Sequence, residues 1–103
     1  MSAHPLRRPA LNPDAPYKRV LLKLSGEAFC ARGGSGIEPE ELGIIAGEVK
    51  DAFLTGCQLA VVVGGGNFVR GAKFAKAAHI HQATADHMGM LATVMNGLAL
   101  KEA

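Results

Sequence analysis

The sequence predicts an α/β fold with a mainly parallel sheet, because two strand-like runs flank one helical pattern. Residues 59–63 are all apolar and three of them are β-branched, which is typical of a strand buried on both faces of a parallel sheet. A second apolar run, interrupted once, occupies residues 20–24. Between them, apolar residues recur at helical spacing from residue 42 to residue 53, after Pro39 and before Gly56. This order predicts a βαβ unit with parallel strands and a right-handed crossover.

Length and composition exclude several classes of protein. A chain of 103 residues can form one small domain or part of a larger one. Its 11 basic and 9 acidic residues are intermixed and leave a net charge of +2. This pattern argues against a nucleic-acid or membrane-surface partner. The sequence contains no run of about 18 apolar residues, which is the length that a membrane span needs.

The first 16 residues contain four prolines and no periodic pattern, so we predict a disordered extension. An arm that docks on a partner subunit is the alternative. The segment lacks the apolar core of a secretory signal. Cys30 and Cys57 form no metal or redox motif, and free thiols favour a reducing, cytoplasmic location.

Both strand-like runs end in turns of small residues. Ser25 and Gly26 follow the first run, and Gly64, Gly65 and Gly66 follow the second. Ligands of open α/β sheets bind beyond the carboxyl ends of the strands, and successive amides of a glycine turn can converge on an anion. The three glycines therefore favour a phosphate or carboxylate site over a turn without a ligand. We expect valine at Gly65 to block that site and leave the sheet intact.

Three charged residues are candidates for the same site, each with a plain alternative. Lys23 interrupts the first apolar run, where it reaches either an anion or solvent. Arg70 can bind phosphate oxygens bidentately, or it is a solvated surface residue. Asp86 lies near the start of the last predicted helix, where capping explains it sufficiently.

The last predicted helix runs from about Thr84 to the end of the chain, with Thr84 or Asp86 as its cap. Its broad apolar face is predicted to pack into the core, and its methionines to fill core gaps. That face comprises Leu91, Val94, Met95, Leu98 and Ala99.

The two turns together suit a polyphosphate, since phosphoryl transfer depends on charge neutralisation and positioning. The chain lacks both the P-loop pattern and a G-x-G-x-x-G after a strand, which disfavours P-loop kinases and dinucleotide-binding proteins.

Three segments resemble UMP kinases of bacteria, which are members of the amino acid kinase family. They are residues 17–28, residues 63–67 with Arg70 and Gly71, and residues 85–99. The resemblance implies a three-layer αβα sandwich with a mainly parallel sheet. Residues 17–103 would form the N-terminal, incomplete part of that domain.

Glycine and lysine turns alone also fit acetylglutamate, glutamate or carbamate kinases. The residues that favour UMP kinases are Ser25-Gly26-Glu27 and the run from Asp86 to Asn96.

The resemblance also implies an activity, which is transfer of the γ-phosphate of ATP to UMP, with Mg²⁺ carried on the ATP. Gly65 and Asp86 would bind UMP, and Lys23 would be catalytic by stabilising the transferring group. The implied ATP-binding residues are Lys23, Leu24, Ser25, Gly26, Gly66 and Arg70.

The family further implies a cytoplasmic homohexamer that is activated by GTP and inhibited by UTP. We expect the 103 residues alone to be inactive as a kinase. A non-catalytic module that binds a nucleotide or a partner is the alternative.

Overall fold

The computed structural model of the chain describes residues 13–14, 17–69 and 71–103, without the side chains of residues 71 and 72. Most of the predicted extension at residues 1–16 lies outside the described residues, as does the candidate Arg70. The elements in chain order are β1 (Arg19–Leu24), a 3-10 helix (Gly26–Phe29), α1 (Pro39–Leu54), β2 (Gln58–Val63), α2 (Gly71–Ala78) and α3 (Gln82–Glu102).

Strands β1 and β2 pair in parallel, with α1 as the connection between them. The register runs from Arg19 opposite Gln58 to Leu24 opposite Val63. The Gly64 N–H extends the pairing by donating to the Leu24 carbonyl at 2.8 Å. The parallel βαβ unit predicted from the sequence is therefore confirmed.

Helix α1 begins and ends where the sequence indicates. Pro39 occupies its first turn, where the missing N–H of proline has no helical partner to lose. After Leu54, Gly56 has a φ of +92°, a left-handed conformation that glycine adopts without strain. This turn directs the chain from α1 into β2. In the middle of α1, the buried side chain of Ile45 packs into the core.

Each strand is more buried on one face than on the other. Exposed and half-buried side chains alternate along both strands, and Leu21 and Val62 on the open face are 71% and 48% exposed. The prediction that both strands are buried on both faces is wrong for the described residues. Complete burial needs a layer over each face of the sheet, and the described elements cover one face only in part.

Helix α3 begins at Gln82, with His81 in extended conformation as its N-cap. Thr84 and Asp86 lie inside the helix, so the prediction that either of them caps it is wrong. The helix begins two residues earlier than the sequence indicates, and it begins without a side-chain cap.

The buried face of α3 consists of small residues, while most of its large apolar side chains are exposed. Ala85, Ala92 and Asn96 are buried, and Gly89 between them is half-buried. The prediction that large apolar residues of this helix fill the core is wrong in the described structure. The exposed ones are Met88, Met90, Leu91, Val94, Met95 and Leu98. Small residues are needed on the inner face because α3 approaches main-chain atoms closely there.

None of the described helices is long and apolar enough to span a membrane.

Candidate functional site

The turns that follow β1 and β2 are in backbone-to-backbone contact. A Cβ atom on Gly26 would overlap the Gly66 nitrogen and would lie 2.8 Å from the Asn67 nitrogen. A Cβ on Gly64 would lie 3.1 Å from the Gly26 nitrogen. The parallel pairing therefore brings together the two small-residue turns singled out in the sequence, and Gly26 has no room for a side chain.

The glycine turn also packs against α3. A Cβ atom on Gly65 would lie 2.6 Å from the Gly89 carbonyl oxygen and 2.9 Å from the Ala92 Cβ. The small residues on the inner face of α3 are what allow this approach. Valine at Gly65 would push the helix away from the turn. The atoms that it meets belong to α3 and not to the sheet, so the expectation that the sheet stays largely intact remains a prediction.

Two main-chain amides at the end of β2 are candidates for binding an anion. The Gly65 carbonyl accepts hydrogen bonds from the Phe68 and Val69 N–H groups at 3.0 and 3.2 Å, which closes the turn. Within the part of the chain that the structure describes, the N–H groups of Gly65 and Gly66 donate to no other residue. Neighbouring donors of this kind form an anion-binding concavity.

Lys23 lies on the open face of the sheet, one residue before the end of β1 and opposite Val62. Its exposed side chain pays no desolvation penalty. Both interpretations of Lys23, an anion-binding lysine and a solvated one, are compatible with this position. Leu24 is half-buried and Ser25 is exposed at the start of the turn.

Asp86 is exposed in the second turn of α3, where its carboxylate accepts a hydrogen bond from the Gln82 Nε2 at 2.8 Å. It precedes Gly89 by three residues, which places it one helical turn from the contact between Gly89 and Gly65. The structure therefore places Asp86 on the helix that supports the glycine turn, and it removes capping as the explanation for this residue.

We expect Asp86→Asn to weaken UMP binding more than ATP binding. Asparagine has one acceptor fewer, and it brings a donor where a nucleotide hydroxyl would donate. Isothermal titration of both nucleotides checks this, with Gln82→Ala as the control that removes only the neighbour of Asp86. Equal affinities for UMP in the Asp86→Asn protein and its parent would remove Asp86 from the site.

A buried pair of asparagines under the glycine turn was not singled out from the sequence. Asn67 and Asn96 are 4% and 0% exposed, and their amides bind each other reciprocally at 3.0 and 2.7 Å. Asn96 also donates to the Gly64 carbonyl at 2.8 Å, and Asn67 donates to the Gly36 carbonyl at 2.9 Å. One available signal was that Asn96 continues the small-residue stripe of Ala85, Gly89 and Ala92.

No family model matches the sequence, but individual proteins do. The uridylate kinases of Vibrio cholerae and Aliivibrio fischeri are 54% and 53% identical to this chain over 92 residues. That stretch is 89% of this chain and 37% of each relative.

Two solved structures are similar in fold. The UMP kinase from Bacillus anthracis has a TM-score of 0.75 and 40% identity, covering 82% of this chain and 34% of that one. The UMP kinase from Ureaplasma parvum has a TM-score of 0.72 and 32% identity, and the match covers 82% of this chain and 37% of that one.

The chain spans little more than a third of the length of the curated relatives it matches. Sequence and fold agree on the same group of enzymes, and the glycine turns lie within the parallel βαβ unit described above. This chain is therefore similar in sequence to the amino-terminal part of the uridylate kinases, and it has the α/β fold of the amino acid kinase family.

Proposed function

We propose that this chain forms part of the active site of a nucleoside monophosphate kinase that transfers the γ-phosphate of ATP to UMP, giving UDP and ADP. The observation that carries the proposal is the contact between the two turns, with the Gly65 and Gly66 amides directed to no other described residue. The 54% identity to a uridylate kinase supports the choice of substrates. Phosphoryl transfer relies on positioning and charge stabilisation, which a lysine and main-chain amides can provide.

Each turn has a separate role in this proposal. The turn after β1 meets the phosphates of ATP, and Lys23 stabilises the negative charge on the transferring group. The Gly65 N–H and Asp86 hold UMP, on its phosphate and its ribose respectively. The residues assigned to ATP are Lys23, Leu24, Ser25, Gly26, Gly66 and Arg70.

We assign Mg²⁺ to the phosphates of ATP, as the resemblance implies. Across residues 13–14, 17–69 and 71–103, no group of three or more His, Cys, Asp or Glu side chains could hold a metal ion. The donors that are present at the turns are main-chain amides and a lysine, which suit the anionic phosphates. When bound, Mg²⁺ would neutralise phosphate charge.

Assembly into a homohexamer is proposed from the resemblance and is supported by α3. Four of its exposed side chains, Met88, Leu91, Met95 and Leu98, follow the alternating three- and four-residue spacing of helices that pair through one apolar seam. Activation by GTP, inhibition by UTP and a cytoplasmic location are proposed from the resemblance.

A non-catalytic module that binds a nucleotide or a partner is the second candidate. The open face of the sheet, with Leu21 and Val62 exposed, favours it because such apolar surface is often covered by a partner.

Other members of the amino acid kinase family are a further alternative. The match to uridylate kinases at 54% identity makes them the weaker choice.

A chimeric enzyme tests the proposed function. Residues 17–103 replace the matched segment of the Vibrio cholerae uridylate kinase, and ADP release from ATP is measured with and without UMP. We expect UMP-dependent ADP release, because the chain would supply its half of the phosphate site. A folded chimera without this activity, beside an active parent kinase, would contradict the proposal and favour the non-catalytic module.

We expect the 103-residue chain alone to release no ADP in a UMP-dependent manner. It corresponds to 37% of the length of the relatives, and positioning two nucleotides in line requires groups on both sides of the reacting phosphate. The assay uses freshly purified chain whose dispersity is checked by light scattering. UMP-dependent ADP production by the chain would show that residues 1–103 suffice for catalysis.

A further inference from the structure

The amide pair of Asn67 and Asn96 uses every side-chain donor it has. Each Nδ2 group has two N–H bonds, and each makes two hydrogen bonds, one to the other asparagine and one to a main-chain carbonyl. The Gly36 N–H also donates to the Asn67 carbonyl at 2.9 Å. The pair thus joins three segments that are distant in sequence, namely the loop at Gly36, the glycine turn and α3.

The bond from Asn96 fixes the direction of one particular peptide group. The Gly64 carbonyl points at the Asn96 Nδ2, 2.8 Å away. A trans peptide is planar, and its C=O and N–H bonds point in opposite directions. The N–H of Gly65 belongs to the same peptide and therefore points away from Asn96. A glycine on either side of this peptide leaves it little other resistance to rotation.

Only a side chain that both donates and accepts on one small group can make these contacts. An aspartate of the same shape would turn an acceptor toward the Gly64 carbonyl. A leucine would leave that carbonyl unpaired in a buried site, and it would leave the Asn67 amide with its bond to Gly36 alone. The amide of Asn96 therefore supplies the donor that the Gly64 carbonyl needs, and the amide of Asn67 pairs with its remaining groups.

We propose that Asn96, supported by Asn67, is a positioning residue that orients the Gly64–Gly65 peptide so that the Gly65 N–H faces the phosphate of the nucleotide. The inference rests on the proposed function for the identity of the ligand, a nucleoside monophosphate. The direction of the N–H bond follows from the hydrogen bonds alone.

Asn96→Asp in the ¹⁵N-labelled 103-residue chain tests this inference. UMP is titrated at pH 7.5 while the Gly65 amide resonance is followed, and residual dipolar couplings give the direction of the Gly65 N–H bond without ligand. We expect UMP affinity to fall roughly tenfold, the scale of one buried hydrogen bond, and the N–H bond to reorient. At a pH low enough to protonate the new carboxyl, its O–H can donate to the Gly64 carbonyl, so affinity should return toward that of the parent at the same pH.

Two further variants separate positioning from a general loss of stability. Ile45→Ala weakens the core on α1, and at a matched loss of unfolding free energy it should leave UMP affinity unchanged. Asn96→Ala removes the amide without adding a charge, and it replaces Asn96→Asp if that protein does not fold. Recovery at low pH is expected in Asn96→Asp and not in Asn96→Ala.

Each outcome decides one of the two proposals. If UMP binds the parent, and the folded Asn96 variants show unchanged affinity and an unchanged Gly65 N–H direction, the positioning role is overturned. If the parent gives no response to UMP, UMP binding by this chain is contradicted. The ligand-free N–H direction then decides the positioning role, which a changed direction supports and an unchanged one overturns.

Discussion

Replacing Lys23 by alanine should lower kcat for UMP phosphorylation on the order of 10²-fold or more in the chimeric kinase that contains residues 17–103. The lysine lies at the carboxyl end of β1, beside the turn that Gly26 brings against Gly66. A cation that meets the transferring phosphoryl acts mainly on the transition state, so kcat should fall more than binding of either nucleotide weakens. Steady-state kinetics with each nucleotide varied in turn measure both effects.

The position of Lys23 on the open face provides the control for this experiment. Because its side chain is exposed, its truncation should change the unfolding free energy by no more than about 0.5 kcal/mol. Lys50→Ala removes another exposed lysine, on α1 and away from the turns, and should leave kcat unchanged. A Lys23→Ala enzyme with parental kcat would make Lys23 a solvated surface residue.

Replacing Gly65 by valine should cost about 3 kcal/mol of unfolding free energy, the upper part of the range for overpacked sites. The first added atom already falls 2.6 Å from the Gly89 carbonyl oxygen and 2.9 Å from the Ala92 Cβ. A β-branched side chain adds two more, so α3 must move away from the turn. Urea denaturation of the 103-residue chain, followed by circular dichroism, measures the loss.

Gly43→Val is the matched control, because it adds the same side chain at a glycine with open space around it. No atom lies within 4 Å of a Cβ built on Gly43 in α1, and valine has a higher helix propensity than glycine. We expect its unfolding free energy to stay the same or rise by a few tenths of a kcal/mol. A Gly65→Val protein as stable as its parent would show that α3 is not packed on the turn as described.

The strands and α1 could be predicted from the sequence because their signals are local. Apolar β-branched runs, a proline at the first turn of α1 and a glycine after its end are read within a few residues. The predicted strands at residues 20–24 and 59–63 differ from β1 and β2 by one residue at their starts. The cap of α3 was mispredicted because His81 starts the helix through its main-chain conformation, without a side-chain cap.

Burial was harder to predict, because it depends on what packs against each face. An apolar strand is the same in sequence whether one or both faces are covered, and Leu21 and Val62 are exposed where complete burial was expected. The contact within the buried amide pair has no local signal either, since Asn67 and Asn96 meet across 29 residues. The positions of the glycine turns were predictable, but not the helix that supports them.

Parallel pairing also bears on the order of events during translation. Arg19 and Gln58 are partners that lie 39 residues apart, so β1 leaves the ribosome well before β2 exists. At about 5–20 residues per second, this interval lasts roughly 2–8 s. During that time α1 is synthesised, while β1 lacks the strand with which it pairs. The two small-residue turns can meet only after Gly66 has emerged, so the candidate site is assembled in one late closure and not built up strand by strand.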